Sequence, residues 1–381
     1  MNYILFDANR EFLFPLTHTR PVSEIRIGIL TIKEKWAKHL GSMPSAQTAD
    51  YLQEKFPLQK EADNVYIHGG LCPNKELVEA IQALADGEGL YAADTLLAYR
   101  NKADQKVSFT SDFTLVEKLW HIFQHNGTEL QADFDLLTAG RSSQALSDTN
   151  IVLGAEYIFV EEGAKVEAAT LNATTGPIYI GKDAEIMEGS MVRGPLAMCA
   201  HSVLKLGTKI YGATTLGPYC KVGGELNNSV LMGYSNKGHD GFLGNSVLGE
   251  WCNIGADSNN SNLKNNYAEV RLFSEHTGRF EKTGLQFCGL IMADHSKCGI
   301  NTMFNTGTIV GVSANIFGAG FPRNFVPSFA WGGAAGYSTY QLPKVFEVAE
   351  KVMARRGVAF DATEKAILEK VFELTSTQRN F

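Results

Sequence analysis

The sequence lacks an apolar run long enough to cross a membrane, and it lacks an excess of positive charge. No stretch approaches the ~20 consecutive apolar residues that a membrane-spanning helix needs. Its 34 lysine and arginine residues are outnumbered by 41 aspartate and glutamate residues, so the formal net charge is −7. Without a basic surface, nucleic acid and anionic membranes are poor partners. The first residues carry no basic leader of the kind found in signal peptides, and we expect a cytoplasmic protein.

Cysteine is scarce, and its spacing argues against a metal centre. The six cysteines contain no C-x-x-C pair, which is the spacing typical of zinc ribbons. We therefore expect no structural metal and six reduced, buried thiols, as is usual in the cytosol. With 381 residues and a hydrophobic content of 44%, the chain is long enough for two or three domains.

What the sequence does contain is a six-residue apolar repeat between Ile180 and Ile316. Apolar residues recur at every sixth position in three runs: Ile180, Ile186, Val192, Met198, Leu204, Ile210, Leu216 and Val222; then Phe242, Leu248 and Ile254; then Met292, Cys298, Phe304, Val310 and Ile316. Neither the 3.6-residue period of a helix nor the two-residue period of a strand gives this spacing. A hexapeptide repeat predicts a parallel β-helix, in which each hexad supplies one short strand. We expect the interruptions at residues 226–241 and 259–286 to be loops that leave the coil.

The segments on either side of the repeat have other periodicities. Residues 1–140 alternate short strands with helical segments, which predicts a small α/β domain with a parallel sheet. Helices are expected at residues 25–39 and 115–124 and after Pro73. The β-helix is expected over residues 150–330. A helical tail is expected over residues 338–381, with one helix from Leu342 to Arg355 and a second from Ala362 to Leu374 that is capped by Asp361.

The most specific motif lies around the first interruption. The segments Gly224-Glu225-Leu226-Asn227, Ser235 to Gly244 (SNKGHDGFLG) and Asn253-Ile254-Gly255-Ala256-Asp257 resemble the acetyltransferase half of the bifunctional N-acetylglucosamine-1-phosphate uridyltransferase/glucosamine-1-phosphate acetyltransferase family. That family has K-x-G-H-x-x-Y-L-G-D followed by N-I-G-A-G-T. The resemblance covers residues 150–320 in architecture and 224–265 in motif. It implies a left-handed all-β parallel β-helix, acetyl-CoA as co-substrate and a homotrimer.

The resemblance also implies a role for each matched residue. His239 falls on the catalytic histidine of the family. The other matched positions would contact the amino sugar or the acyl-CoA: Glu225, Asn253 and Asn262 for the sugar, and Ala256 and Asp257 for the acyl-CoA. Asparagines of this segment have an alternative role, because asparagine tolerates the left-handed conformation of β-helix turns.

Two departures from the family pattern affect the expected identity of the sugar substrate more than the expected type of reaction. Phe242 replaces a tyrosine, and Asn227 replaces a lysine that binds the sugar phosphate. A substrate phosphate needs a cation, and Lys209, Lys237 or Lys264 would supply it. Acetyl transfer to an amine needs a neutral amine, and a histidine is suited to act as the general base. The alternative for a loop histidine such as His239 is simple exposure to solvent.

The N-terminal residues carry a weaker resemblance. The run from Leu5 to Thr17, with Phe14-Pro15-Leu16-Thr17 at its end, resembles the strand-L-A-G-G-x-G-T-R-L-x-P-L-T opening of sugar-1-phosphate nucleotidyltransferases. All of the glycines are missing, although glycine lets backbone amides approach a nucleotide phosphate. Nucleotide contacts would fall instead to four other residues: Asp7, Arg10, Arg20 and Lys33. The alternative is a solvated helix face, and Mg²⁺ is expected only if this domain is catalytically active.

The expected protein is therefore an acetyl-CoA-dependent N-acetyltransferase for an amino-sugar phosphate, fused to a sugar-1-phosphate nucleotidyltransferase-like domain. Such an enzyme would serve UDP-N-acetylglucosamine or related cell-envelope precursor synthesis. Two alternatives stay open. The β-helix could only organise the oligomer of an active nucleotidyltransferase, or both sites could be eroded in a sugar-nucleotide-binding or regulatory protein.

Overall fold

A computed structural model describes residues 1–381 of the chain. The molecule consists of an N-terminal sheet with helices, a parallel β-helix and two C-terminal helices. This arrangement confirms the expected fold class, an α/β N-terminal domain followed by a left-handed parallel β-helix and a helical tail. None of the helices is long and apolar enough to cross a bilayer.

The β-helix has three faces, each a stack of short parallel strands. The first face contains Ile158–Val160, Ile178–Ile180, Leu196–Met198, Thr214–Leu216, Val230–Gly233, Val247–Glu250, Leu290–Met292, Thr308–Val310 and Phe325–Val326. The second face contains Lys165–Val166, Glu185–Ile186, Val203–Leu204, Lys221–Val222, Asn236–Lys237, Asn253–Ile254, Lys297–Cys298, Asn315–Ile316 and Ala330–Gly333, closed by antiparallel Gly336–Thr339. The third face contains Ile151–Leu153, Thr170–Asn172, Met191–Arg193, Lys209–Tyr211, Glu225–Asn227 and Phe242–Gly244, and the pair Asn259–Asn260 and Met303–Phe304 lies beyond them.

The first interruption of the repeat is a shortened coil and not a loop. Leu196 pairs with Thr214, 18 residues later, whereas Thr215 pairs with Val230, only 15 residues later. Strands continue without a break through residues 225–237, so the expected loop at 226–241 was wrong. The coil is shorter because its corners contain fewer residues. The resulting change of register places Leu243, and not Phe242, in the lumen.

The second interruption is a true insertion. Val247 pairs with Ile291, 44 residues later. The added chain forms an antiparallel hairpin of Arg271–Ser274 and Arg279–Lys282. This hairpin lies against the N-terminal domain, where Glu275 pairs with His18 at 2.9 Å.

The N-terminal sheet is mixed and not parallel throughout. Its strand order is Ser45–Gln47, Asn2–Phe6, Asn64–His68, Thr95–Arg100, Glu88–Ala92 and Gln105–Ser108. The first three strands are parallel, and Thr95–Arg100 runs antiparallel to both of its neighbours. The antiparallel part follows from a tight connection between residues 92 and 95, which cannot make a parallel crossover. A small antiparallel pair, Leu71–Cys72 with Thr114–Leu115, completes the domain.

The N-terminal helices differ from the expected ones where tertiary contacts decide. Helix α1 spans Ile32–Leu40, so it begins seven residues later than expected. Helix α2 spans Lys75–Gln82 and begins after Pro73, as expected. The third expected helix is only α3 (His121–Gln124), and α4 (Asn126–Thr138) begins where a helix end was expected. Asn126 does not end a helix. Its buried side chain accepts a hydrogen bond from Gly28 N and donates one to Ala213 O, which ties α4 to the β-helix.

The C-terminal helices match their expected bounds. Helix α5 spans Leu342–Ala354 and α6 spans Ala362–Leu374, with Asp361 accepting a hydrogen bond from Glu364 N. Both helices share one cluster of 43 buried hydrophobic residues with the N-terminal domain and the outside of the β-helix. A separate cluster of 34 residues fills the β-helix lumen. All six cysteine thiols are buried and unpaired.

Candidate functional site

His239 lies at an exposed corner between the second and third faces of the β-helix. It borders two cavities, one of about 700 Å³ and one of about 540 Å³. Lys205, Gly238 and Ala256 also line both of them. The imidazole of His239 is therefore the one candidate general base that lines both cavities. The ammonium of Lys205 lines both of them as well.

The larger cavity carries an unusual excess of positive charge. It lies between the second face and the C-terminal end of α5, and its cations are Lys205, Lys221, Lys297, Arg355 and Arg356. No aspartate or glutamate lines it. Arg356 donates a hydrogen bond of 3.1 Å to the Asn236 side chain, which fixes the end of α5 to the β-helix. Such a wall suits the phosphate groups of a ligand.

Two of these ammonium groups are destabilised by their surroundings. Burial lowers the pKa of Lys221, and Arg356 and Lys205 lower it further. Burial also lowers the pKa of Lys297 to about 8. Neither lysine forms an ion pair with a carboxylate. A bound anion would relieve this unfavourable charge density.

A ladder of stacked rings runs along the β-helix and contributes two side chains to the wall of the larger cavity. The corner residues between the first and second faces stack from coil to coil: His201, Tyr219, Tyr234, Trp251 and His295, with ring centroids 4.6, 5.2, 4.2 and 6.3 Å apart. Each has a positive φ, so the ladder follows from one repeated turn conformation. Tyr234 and Trp251 face the cavity.

The smaller cavity has a different character. Its lining includes Asp240 and Asp257 together with Met187 and Leu206. Among the residues implied by the family resemblance, His239, Ala256 and Asp257 meet here, and Asn253 joins His239 in the larger cavity. The two carboxylates would attract a substrate amine, while the larger cavity would attract phosphate.

Lys237 is not at the cavity surface. It takes an inward position of the second face, in register with Val222, and only 1% of it is exposed. Its Nζ donates to the carbonyl oxygens of His239 and Asp240, at 2.6 and 3.2 Å. The structure thus directs this ammonium away from any substrate and towards the backbone of the His239 corner.

The other residues expected to contact the sugar lie elsewhere. Lys209 and Glu225 are neighbours on the outside of the third face, and Glu225 accepts a hydrogen bond of 2.6 Å from Tyr211. Asn262 donates to Asn245 at 2.8 Å, and Lys264 donates to the Glu269 carbonyl at 2.8 Å. None of the four lines either cavity.

The expected nucleotide ligands of the N-terminal domain make internal contacts. Asp7 accepts hydrogen bonds from Val22 N and the Thr48 hydroxyl. Arg10 bonds to the Tyr51 hydroxyl at 3.0 Å and to the Thr17 carbonyl.

The remaining two N-terminal cations form ion pairs. Arg20 pairs with Asp294 and Glu250 of the β-helix, and Lys33 pairs with Glu24 at 2.9 Å. A Mg²⁺ ion needs converging oxygen ligands. No three His, Cys, Asp or Glu side chains converge in a way that could hold a metal ion, so the residues present do not form such a site.

The hairpin inserted in the β-helix packs over the loop that resembles the nucleotide-binding loop. The rings of His276 and Phe12 pack at a tilt with centroids 4.6 Å apart, and Lys118 pairs with Glu281 at 3.6 Å. Together with the buried His18–Glu275 pair, these contacts fill the space beside residues 10–18 with protein.

Sequence reasoning missed the cations of the larger cavity. Lys221 and Lys297 occupy the outward position immediately before an inward residue of the second face, so their alignment could have been found from the hexads. Arg355 and Arg356 gave no such signal, because only the docking of α5 brings them to the β-helix.

The N-terminal domain matches a known family. Residues 3–142 match the family model described as sugar nucleotidyl transferase. This match confirms the resemblance of the N-terminal domain to sugar nucleotidyltransferases and the expectation of a transferase. No curated protein sequence matches the chain.

Solved structures of two acyltransferases resemble the chain distantly. AntD, an N-acyltransferase from Bacillus cereus in complex with dTDP and 3-hydroxybutyryl-CoA, is 10% identical over 55% of this chain and 91% of that chain, with a TM-score of 0.23. An Arabidopsis UDP-N-acetylglucosamine acyltransferase is 12% identical over 62% of this chain and 94% of that chain, with a TM-score of 0.24. TM-scores this low support no conclusion about fold or activity.

Proposed function

We propose that the protein is an acyl-CoA-dependent N-acyltransferase that acts on a phosphate-bearing amino sugar, with His239 as the general base. One observation carries this proposal. His239 lies where a cavity lined by five cations and no carboxylate meets a second cavity that holds Asp240 and Asp257. That pairing suits a reaction between a polyanionic acyl donor and an amine.

The proposed chemistry needs few groups. The imidazole of His239 takes a proton from the substrate amine as the amine nitrogen attacks the thioester carbonyl carbon. The tetrahedral intermediate collapses to an amide as the carbon–sulfur bond breaks. The thiolate leaves and takes its proton from the imidazolium, so the histidine is neutral again. Backbone amides of the corner, near Gly238, are the donors available to the oxyanion.

The cations would hold the phosphates. Lys221, Lys297, Arg355 and Arg356 lie on one wall of the larger cavity, where charge-assisted hydrogen bonds to phosphate are strong. The acyl donor most consistent with this chemistry is acetyl-CoA, and the acceptor would be an amino-sugar phosphate. Such a product would feed nucleotide-sugar synthesis in the cytoplasm, which is a reducing compartment compatible with six free thiols.

The proposed active form is a homotrimer. Leu206 and Ile300 are 67% and 70% exposed, and they line the cavities beside His239. Large apolar side chains in such positions favour contact with a neighbouring copy. That copy would complete the wall of a site that is open on one side of a single chain.

The test is a thiol-release assay with acetyl-CoA and a panel of amino-sugar phosphates. We expect activity with at least one acceptor and a loss of kcat of about 10²- to 10⁴-fold in His239→Ala, the range for removal of a general base. His39→Ala removes a half-buried histidine of α1 that lines neither cavity, and this matched control should keep the wild-type rate. Activity retained in His239→Ala would exclude the proposed base.

The same protein should be tested for nucleotidyl transfer. Pyrophosphate release from a nucleoside triphosphate and a sugar phosphate, without any thiol release, would favour the alternative in which the β-helix only organises the oligomer. If neither thiol nor pyrophosphate is released, the result would favour a binding or regulatory protein.

A further inference from the structure

Lys237 is a charged residue in a row of apolar side chains that fills the β-helix lumen. Every other residue in its inward row on the second face, from Val166 to Ile316, is apolar or cysteine. Val222 lies one coil away, and Lys237 borders a small cavity of about 10 Å³ together with Leu243 and Ile254. A methionine would fill this position without a charge.

The buried ammonium has no carboxylate partner. It forms no ion pair, and its only hydrogen bonds go to the carbonyl oxygens of His239 and Asp240. The nearest acids, Asp240 and Asp257, are exposed at the corner and do not reach it. A buried charge that is held only by backbone carbonyls costs stability, and an apolar residue of similar volume is often neutral or stabilising.

The two hydrogen bonds set the backbone of the His239 corner. They direct the carbonyls of residues 239 and 240 inwards, although both residues are exposed to solvent. The Asp240 carbonyl also accepts a hydrogen bond of 3.0 Å from Asp257 N, whereas the His239 carbonyl has only the Lys237 ammonium as its donor. Without the ammonium, the His239 carbonyl would turn towards water, since a buried carbonyl without a donor is unfavourable. The peptide plane after His239 would then rotate and shift the imidazole.

We propose that Lys237 is a positioning residue that holds His239 in its catalytic orientation from inside the β-helix. The inference rests on the proposed role of His239 as the base. It assigns to Lys237 a task that differs from binding the substrate phosphate. The ammonium acts through the backbone and does not touch the substrate.

The experiment compares Lys237→Met with wild type and with Leu204→Met, a lumen substitution of similar volume two coils away in the same row. We expect Lys237→Met to unfold at the same temperature as wild type or higher. Its kcat for thiol release should fall about tenfold to a hundredfold, since small displacements of a catalytic group have effects of this size. The KM values for both substrates should change less than twofold. Leu204→Met should leave kcat unchanged.

A second measurement does not depend on turnover. The rate at which diethyl pyrocarbonate modifies His239, followed by peptide mass spectrometry across pH 5–8, reports the surroundings of the imidazole. We expect the profile to shift in Lys237→Met and to stay unchanged in Leu204→Met.

The outcomes separate the two proposals. If Lys237→Met keeps both the wild-type kcat and the wild-type modification profile, the positioning role is overturned while His239 can still be the base. If it loses activity only in proportion to a lower melting temperature, Lys237 is merely structural. If His239→Ala retains activity, the proposed function fails, and a shifted modification profile would still establish that Lys237 positions the corner.

Discussion

At the scale of single residues, the site is built from side chains that the fold leaves in unfavourable surroundings. Lys221 and Lys297 carry charge without a carboxylate partner, and Lys237 carries charge inside an apolar lumen. Burial lowers the pKa of Lys237 to about 8. Because an unfolded lysine titrates at ~10.4, this group ties stability to pH.

We predict that wild type gains stability relative to Lys237→Met as the pH rises from about 8 to about 10.4. In this range the unfolded chain binds more protons at residue 237 than the folded chain does, so deprotonation favours folding. Below pH 8 the full penalty of the buried charge is present. Urea unfolding of both proteins at several pH values measures the effect. A stability difference that stays constant from pH 7 to 10.5 would contradict it.

The residue scale also shows what sequence patterns can and cannot identify. The surrounding motif made His239 a candidate, and the structure places this side chain beside two cavities. The inward direction of Lys237 could not be found, since the shortened coil before Val230 shifts the register by three residues. Only strand pairing reveals that shift.

At the scale of elements, helix α5 is the part that turns a β-helix face into a cavity. Its apolar side packs through Val345, Ala349 and Met353, and its C-terminal end brings Arg355 and Arg356 over the second face. Cations are also favoured at this end by the helix dipole. The bounds of α5 and α6 followed from periodicity and capping, whereas their docking surface did not.

We predict that inorganic pyrophosphate raises the melting temperature of wild type by a few degrees at saturating concentration, because a ligand of the folded state stabilises it by mass action. The double variant Arg355→Met/Arg356→Met should lose most of this rise. Lys351→Met, an exposed change on the same helix, should keep it. Differential scanning fluorimetry measures the shift, and equal rises in all three proteins would argue against an anion site at α5.

The sheet of the N-terminal domain illustrates a limit of pattern reading. Alternating strands and helices predicted a parallel sheet, but the hairpin of residues 88–100 made the sheet mixed. Helix α4 was missed because its start coincides with an Asn-Gly pair that is typical of turns. Buried contacts of Asn126 with Gly28 and Ala213 outweigh that local preference.

At the scale of the whole molecule, the three parts share one hydrophobic cluster. Arg20 of the N-terminal domain reaches Asp294 of the β-helix, and both side chains are buried. Burial alone would raise the pKa of the Asp294 carboxyl, but Arg20 and the Thr19 hydroxyl hold it below its usual value. The N-terminal domain is therefore fixed to the β-helix by charge as well as by apolar contact.

We predict that Arg20→Met lowers the free energy of unfolding by about 3–5 kcal/mol, because it leaves the Asp294 carboxylate buried without its cation. The double variant Arg20→Met/Asp294→Asn should lose less than the sum of the single losses. Urea unfolding followed by tryptophan emission and far-ultraviolet dichroism measures this, and both signals should change in one transition. Two separated transitions would show that the domains unfold independently.

The ring ladder has a consequence for spectroscopy. Trp251 lies between Tyr234 and His295 at the wall of the larger cavity. Its emission is therefore sensitive to the cations beside it and to anything that displaces water there. The stacked rings also couple their electronic transitions, which gives the folded coil its own near-ultraviolet signature. The chain thus carries an intrinsic optical sensor at the mouth of its candidate site, and ligands can be titrated without a label.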